Sequence, residues 1–446
     1  MKTLKPVSAS KQREASGEAG IGPGRPELLR EVNARRVLRL LRMLGPCSRA
    51  DLARRSGLSA PTISDGVVYL QKKGLVEPVG PGPSSGGRPP NLLRFNTKLG
   101  YVAGADIGTS VIRVALADLN GTILGKWVGS TRSRSTPGRV AKLIAVGIRE
   151  LQTQHGIPQE KLVSLGAGVP GITDVKAGTV LSAPILPSGW QAVPLARLLE
   201  RGTRIHVTVE NDVNLAAIGE SWVGTARGVR NFVFLTIGTG VGAGVFINGR
   251  LYHGSDWAAG EIGYLYVPGT DEAPLSIGHP GSLESIIGAR GIRRSWQKLC
   301  NGGRGTGGQK AGPTKVMEIF DLAEKGNHRA GMLLRQTARI LADAITDVCV
   351  ILNSSLIVLG GSVGSHPALL EAIRRILEQN DFSRPRLALS VLGGEAPLLG
   401  AIWLALRAAE SILLPSAIDS FSSSASEDVP EIFQSFLGLP PSDLSS

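Results

Sequence analysis

Apolar residues recur at helical spacing at Val37, Leu40, Leu41 and Leu44, between a candidate cap at Asn33 and Gly45-Pro46, which cannot continue a helix. Ser48, with Asp51 three residues on, has the form of a capping box and predicts a second, short helix. Gly57-Leu58-Ser59 supplies a turn, and Pro61 stands where a helix tolerates proline, in its first turn. Ile63, Val67 and Leu70 then form the buried stripe of a third helix that Gly74 ends. Apolar runs at 75–79 and 92–95 predict two strands around a loop that contains Gly86-Gly87-Arg88-Pro89-Pro90. Helices, turn and wing in this order predict a winged helix-turn-helix over residues 26–97. Its third helix enters a major groove, and Arg49, Thr62, Ser64, Asp65 and Tyr69 are expected at DNA, with Arg88 reaching phosphate or minor groove from the wing. Asp65 is unusual, because a carboxylate repels phosphate. It can accept from cytosine N4, and so specify a base at some cost in affinity.

Charge sharpens that picture. Residues 1–99 hold 18 Lys/Arg against 7 Asp/Glu, which accounts for +11 of the whole chain's +13. A local basic excess supplies sequence-independent attraction to phosphate. The bland alternative is a solvated basic arm before an unrelated helical hairpin. The 446 residues leave room for two or three domains, and no stretch reads as long and apolar enough to span a bilayer. Residues 1–25 are polar and Gly-rich without the apolar centre of a signal peptide, and are expected to be a disordered arm. Residues 415–446, Ser-rich and acidic, are expected to be a flexible tail. The three cysteines, Cys47, Cys300 and Cys349, are too few and too dispersed for a disulfide framework or a metal cluster. A reducing cytoplasm is the expected location, with no membrane partner.

The remainder, 98–414, alternates strand and helix patterns and is expected to be α/β. A strand at 101–105 leads into Asp106-Ile107-Gly108-Thr109-Ser110, a second strand runs over 111–118, and Asn120-Gly121 turns into a third. An acid and a glycine at a hairpin turn suit a phosphate site, since the glycine admits backbone N–H groups and the carboxylate can hold Mg²⁺ through water. A second strand, 232–237, runs into a turn over Gly238-Thr239-Gly240-Val241-Gly242-Ala243-Gly244, with strand resuming at 245. Gly360-Gly361 closes a third strand, 356–359. Three glycine turns spread over two halves predict two lobes, divided near residue 212, closing on a nucleotide or on a site descended from one.

Residues 34 to about 410 resemble the ROK family of repressors, open reading frames and sugar kinases, in its regulator branch. The resemblance rests on Gly166-Ala167-Gly168-Val169-Pro170-Gly171, Glu210-Asn211-Asp212-Val213-Asn214, the turn from Gly238 to Gly244, Gly260-Glu261-Ile262-Gly263, Gly281-Ser282-Leu283-Glu284 and Leu359-Gly360-Gly361, in the family's order. It implies an actin-like body of two ribonuclease H-related lobes with sugar in the cleft. It also implies Asp212 as the general base if the chain is a kinase, and sugar contacts from Asn211, Asp212, Glu261, Tyr264 and Glu284. A nucleotide site, working or vestigial, would comprise Asp106, Gly108, Thr109, Ser110, Gly238, Thr239, Gly240, Gly360 and Gly361.

Two departures from the family pattern matter. Tyr264 stands where the family's zinc-binding His would be, and Leu275, Ile277 and Ser282 where its cysteines would be, so no metal is expected. In the first phosphate turn Thr109 replaces a glycine, which puts a Cβ where backbone should approach phosphate. The favoured expectation is therefore a sugar-responsive transcriptional regulator, a homodimer or tetramer on operator DNA, with no required cofactor. The alternative is an ATP- and Mg²⁺-dependent sugar kinase that carries a DNA-binding domain.

Overall fold

The computed structural model describes residues 26–83, 89–131, 136–186, 189–270, 279–301, 315–379 and 384–415. The expected arm at 1–25, the tail from 416, and Arg88 lie outside the described residues.

The reader consists of α1 (Pro26–Leu44), β1 (Cys47–Ser48), α2 (Arg49–Ser56), α3 (Ala60–Lys72), β2 (Val76–Pro81) and β3 (Asn91–Phe95), with a small sheet in the order β1-β3-β2. Two local signals hold. Ser48 Oγ accepts from Asp51 N while the Asp51 carboxylate accepts from Ser48 N, and Ser59 caps α3 ahead of Pro61. The start of α1 differs from the expected cap: Asn33 lies inside the helix, which begins at Pro26, a position where proline loses no hydrogen bond. Its inward stripe is Ala34, Val37, Leu38 and Leu41, whereas Leu40 and Leu44 are only partly buried at its margin. The stripe is set by α3, whose Gly66 lies against Ala34 and Val37.

The body holds two five-stranded sheets of one topology. The first lobe runs β4 (Tyr101–Ile107), β5 (Val111–Asp118), β6 (Ile123–Ser130), α4 (Pro137–His155) and β7 (Leu162–Val169). A small sheet of β8 (Ile172–Asp174), β9 (Thr179–Ser182) and β10 (Gln191–Val193) follows, then α5 (Leu195–Thr203) and β11 (His206–Asn211). Helix α6 (Asp212–Val223) leads to the second lobe: β12 (Phe232–Ile237), β13 (Val241–Ile247), β14 (Arg250–Leu251), α7 (Ser282–Ile287), α8 (Ala289–Asn301), α9 (Val316–Glu324) and α10 (His328–Leu352). It continues with β15 (Leu356–Gly360), α11 (Gly361–Gly364), α12 (Pro367–Leu377) and β16 (Arg386–Leu389), and α13 (Ala396–Leu413) closes the fold.

The sheet orders are β6-β5-β4-β7-β11 and β14-β13-β12-β15-β16. In each, three antiparallel strands are followed by two parallel ones, which is the duplicated ribonuclease H-like layout. The glycine-rich turn of the second lobe is shorter than expected. Only Gly238–Gly240 turns, and Val241–Gly244 already pairs with β12, where Gly244 admits Ala217 of α6 against the sheet.

Helices α6 and α13 lie between the sheets, α6 against the second and α13 against the first. Glycines permit this closeness. A Cβ on Gly400 would lie 1.9 Å from Leu215 O, and one on Gly166 would lie 2.1 Å from Ala401 O. The segment Gly393–Leu413 is long and apolar enough to cross a bilayer, contrary to the reading that no stretch was, but in this fold it is a core helix with Leu398, Ala401, Ile402 and Ala405 buried. The reader does not hang from a tether. Leu41, Leu70 and Phe95 share one buried cluster with Leu119, Leu406 and Leu414 of the body.

Candidate functional site

On the reader, the face of α3 opposite its core carries Pro61, Asp65, Val68 and Lys72, all exposed. Of the residues expected at DNA, Arg49 and Asp65 are exposed, while Thr62, Ser64 and Tyr69 are half-buried on the flanks. Thr62 serves the start of α3, with its Oγ1 2.8 Å from Ser59 Oγ. Tyr69 turns toward α1, where the Arg30 guanidinium sits 5.5 Å from its ring centre. Val68 and Lys72 share this exposed face without having been among the residues expected there, because the sequence alone did not fix the angle of the α1–α3 packing.

In the body, the carboxyl ends of the parallel strands meet at a cleft. Register makes Asp106 on β4 and Arg113 on β5 direct partners, and Arg113 Nη1 donates to Asp106 Oδ2 at 3.0 Å. Burial raises the Asp106 pKa above the usual carboxylate range, and Arg113 pulls against that rise. The turn between them is self-satisfied at one donor, as Gly108 N donates to Val111 O at 2.9 Å. Thr109 is half-buried and Ser110 exposed. In the other lobe Gly238 N donates to Gly240 O, and Thr239 is exposed at the tip. Gly360 and Gly361 answer to packing: a Cβ would lie 2.5 Å from Phe234 Cζ and from Ile237 O respectively, and Gly361 has φ +82°.

The acid cluster follows from one helix start. Asn211 ends β11 and caps α6, its Oδ1 accepting from Val213 N and Asn214 N, while its Nδ2 donates to Gly171 O at 2.9 Å. The amide thereby holds two motifs together at the start of α6. Gly171 has φ +106°, and a Cβ there would meet Ser182 O at 2.1 Å, so only glycine fits. Asp212 opens α6 and keeps part of its surface on the cleft. Burial, then the neighbouring Asp106 and, more weakly, Glu261 push its pKa up to about 7, against the pull of the Val213 N–H. Glu261 is raised by burial and by Glu284. Glu284 Oε2 accepts from Val241 N at 3.0 Å and so braces the second turn. Asp106, Asp212, Glu261 and Glu284 are thus brought within electrostatic reach of one another, with half-buried Tyr264 in the turn Ile262–Tyr264 beside them.

Sequence reasoning missed a bridge beneath Asn211. Buried Glu210 accepts from Asn211 N and Asn214 Nδ2 through Oε1, and His253 Nε2 lies 2.7 Å from Oε2. His253 in turn meets the edge of Trp257, whose φ is +63°. No local pattern links residues 43 positions apart.

The donor set at the family's zinc position does not fit that metal. Ser282 Oγ is occupied by Val267 N and Thr270 Oγ1, Tyr264 offers a phenol, and Leu275 and Ile277 lie outside the described residues. Elsewhere Asp321, Glu324 and His366 converge, but His366 Nδ1 accepts from Ala368 N to cap α12. Its proton then sits on Nε2, facing Asp321, rather than leaving a lone pair for a metal.

Comparison with known proteins fits both halves. The profile of the ROK family matches residues 102–408, and that of the MarR family matches residues 31–83. The xylose repressor of Bacillus subtilis is 30% identical over 377 residues, covering 83% of this chain and 94% of that protein. A glucokinase of Halalkalibacterium halodurans is 30% identical over 315 residues, covering 68% and 94%. Among solved structures, a ROK family transcriptional regulator described as a homologue of the Escherichia coli MLC protein superposes with TM-score 0.70 at 23% identity, covering 88% of this chain and 99% of that one. A ROK glucokinase from Streptomyces griseus reaches TM-score 0.59 at 27% identity over 69% of this chain and 100% of its own. The kinase matches leave the reader uncovered, whereas the repressor match runs through it, and the chain therefore belongs to the ROK family in the form that carries a winged helix ahead of the sugar-kinase fold.

Proposed function

We propose that this chain is a sugar-responsive repressor that binds operator DNA as a homo-oligomer, and that its cleft senses a sugar without phosphorylating it. The observation that carries the reading is the shared core of reader and body: a change of lobe arrangement moves the DNA-binding helix with it. Relatives named for xylose, glucose and N-acetylglucosamine make pentoses, hexoses and amino sugars the ligand class. Asp212, Glu261 and Glu284 are suited to vicinal hydroxyls, because carboxylates accept at two oxygens. Mg²⁺-nucleotide fits poorly, since Asp106 is buried and already paired with Arg113. One observation favours the kinase alternative: with a pKa of about 7, Asp212 can act as a base at neutral pH.

The test is an operator selected from random duplexes, titrated with D-xylose, D-glucose and N-acetylglucosamine, beside a coupled kinase assay with Mg²⁺-ATP and the same sugars. The repressor reading expects one sugar to release DNA, with turnover far below the ~1–100 s⁻¹ of kinases. Robust turnover that disappears in Asp212→Asn, with DNA affinity indifferent to every sugar, overturns it.

A further inference from the structure

The joint between reader and body is built from charge as well as apolar surface. Arg35 on α1 is buried, and its Nη1 donates to Glu410 Oε1 at 3.4 Å while Nη2 donates to Leu414 O. Two helical turns further on, Arg42 Nη1 lies 3.8 Å from Glu410 Oε2, and Nη2 donates to Leu119 O. The Arg42 guanidinium also covers the Phe95 ring at 4.9 Å. Two arginines of the reader thus grip one carboxylate near the end of α13, and Arg42 and Glu410 line a shallow crevice between reader and body.

The other end of α13 starts at its N-cap, Glu395, whose carboxylate lies within electrostatic reach of Asp106. Helix α6 begins with Asp212, and it meets α13 along a seam where neither helix can slide. A Cβ on Gly219 would stand 2.5 Å from Ala396 O, and one on Gly400 1.9 Å from Leu215 O. On its other face α13 presses into the first sheet at Gly104 and Gly166. Glu410 therefore sits ~20 Å along a stiff helix from the Ala396 end. Apolar burial holds two bodies together without fixing their angle, whereas guanidinium–carboxylate and guanidinium–carbonyl bonds are directional.

We propose that the Arg35–Glu410–Arg42 joint sets the orientation of the reader on the body and that α6 and α13 together carry the state of the cleft to it. The proposal rests on the sensor reading for the signal that enters, but the joint itself can be tested without any ligand. Replacing a buried charge cluster by apolar residues of similar size is often neutral for folding, so Arg35→Met, Arg42→Met and Glu410→Leu combined keep the fold and remove the directional bonds. Spin labels at Lys72→Cys and Leu124→Cys, both exposed, in a Cys300→Ser background report the angle as a distance distribution.

The triple variant is expected to melt cooperatively with its far-UV spectrum intact, to broaden the distance distribution, and to bind the active sugar of the D-xylose, D-glucose and N-acetylglucosamine panel as the parent does. Its operator response to that sugar is expected to fall from a typical ~5–150-fold to under ~2-fold. Glu410→Gln, which keeps the shape, is expected to give the same trend more weakly and serves if the triple variant does not fold. A parent-like distance distribution, or a parent-like operator response, overturns the proposal. If the parent itself responds to no sugar in the panel, the sensor reading fails while the distance measurement still decides the joint.

Discussion

Replacing Asp212 by Asn is expected to stabilise the protein, and to do so more at pH 8 than at pH 5. The cleft raises this carboxyl from its usual 3.8 to about 7, chiefly by burial and then by Asp106. The sign follows from proton counting. Between about pH 4 and pH 7 the folded state holds a proton that the unfolded chain has already released, so ionisation works against folding. The penalty is absent below the unfolded value, grows through that window, and levels off above the folded value.

At 1.36 kcal/mol per pH unit, the gap between 3.8 and about 7 corresponds to a ceiling of about 4 kcal/mol at pH 8, with less than half of it present at pH 5. Asp212 as a residue is only half-buried, and solvent screening brings the working figure to ~2 kcal/mol. Asparagine keeps an oxygen for the Val213 N–H and cannot ionise. For a body of roughly 300 residues ~2 kcal/mol is a gain of ~3 °C in melting temperature at pH 8, falling toward ~1 °C at pH 5. Thermal melts of parent and variant at pH 5, 6, 7 and 8, in one buffer at constant ionic strength, measure the difference directly. A gap that stays flat across the series, or a variant less stable than the parent at pH 8, refutes the argument that the cleft strains this carboxylate.

Arg113→Ala leaves Asp106 buried without its cation and is expected to cost ~1–3 kcal/mol at pH 8 and less as the pH is lowered, because burial raises Asp106 and protonation relieves the unpaired charge; urea unfolding at pH 8 and at a lower pH checks both size and direction. On the reader, Asp65→Ala is expected to change which duplexes are selected from a random pool, whereas Lys72→Ala should weaken all duplexes alike and flatten the log–log salt dependence by ~0.9; anisotropy titrations at several salt concentrations separate the two, and identical behaviour of the variants would move the groove-facing surface elsewhere.

How much of this was legible in the sequence depended on the range of the interaction. The capping box at Ser48, the proline start of α3 and the glycine end at Gly74 are local, and the winged helix could be read from them directly. Leu40 and Leu44 keep the helical period that predicts the element, yet the packing of α3 against α1 centres the buried stripe on Ala34, Val37, Leu38 and Leu41 and leaves those two at its margin. Motifs located the acid cluster but not the division of labour inside it. Asn211 and one oxygen of Glu284 are engaged by backbone groups, and Asp212 is left as the strained group. The Asp106–Arg113 pair was within reach, since a tight hairpin turn places those two strand positions opposite each other. The Glu210–His253 bridge and the joint at Glu410 were not, because they unite residues that only the duplicated sheet and its last helix bring together.

Those long-range pairs also bear on why a kinase fold would serve as a sensor. A nucleotide triphosphate brings several negative charges, and a cleft can accept them only if a metal or free cation offsets its own acids. Here Asp106 is satisfied internally by Arg113, while burial first, and then neighbouring carboxylates, pushes Asp212 and Glu261 toward the protonated form. A neutral, hydroxyl-rich ligand suits such a site. A protonated carboxyl can donate to one hydroxyl and accept from another, and filling the cleft orders that hydrogen bonding without adding charge. The helix that begins at Asp212 lies against the helix that ends in the grip of Arg35 and Arg42. On the proposed reading, binding free energy that a kinase would direct at a phosphoryl group is here directed at the angle of a DNA-binding domain.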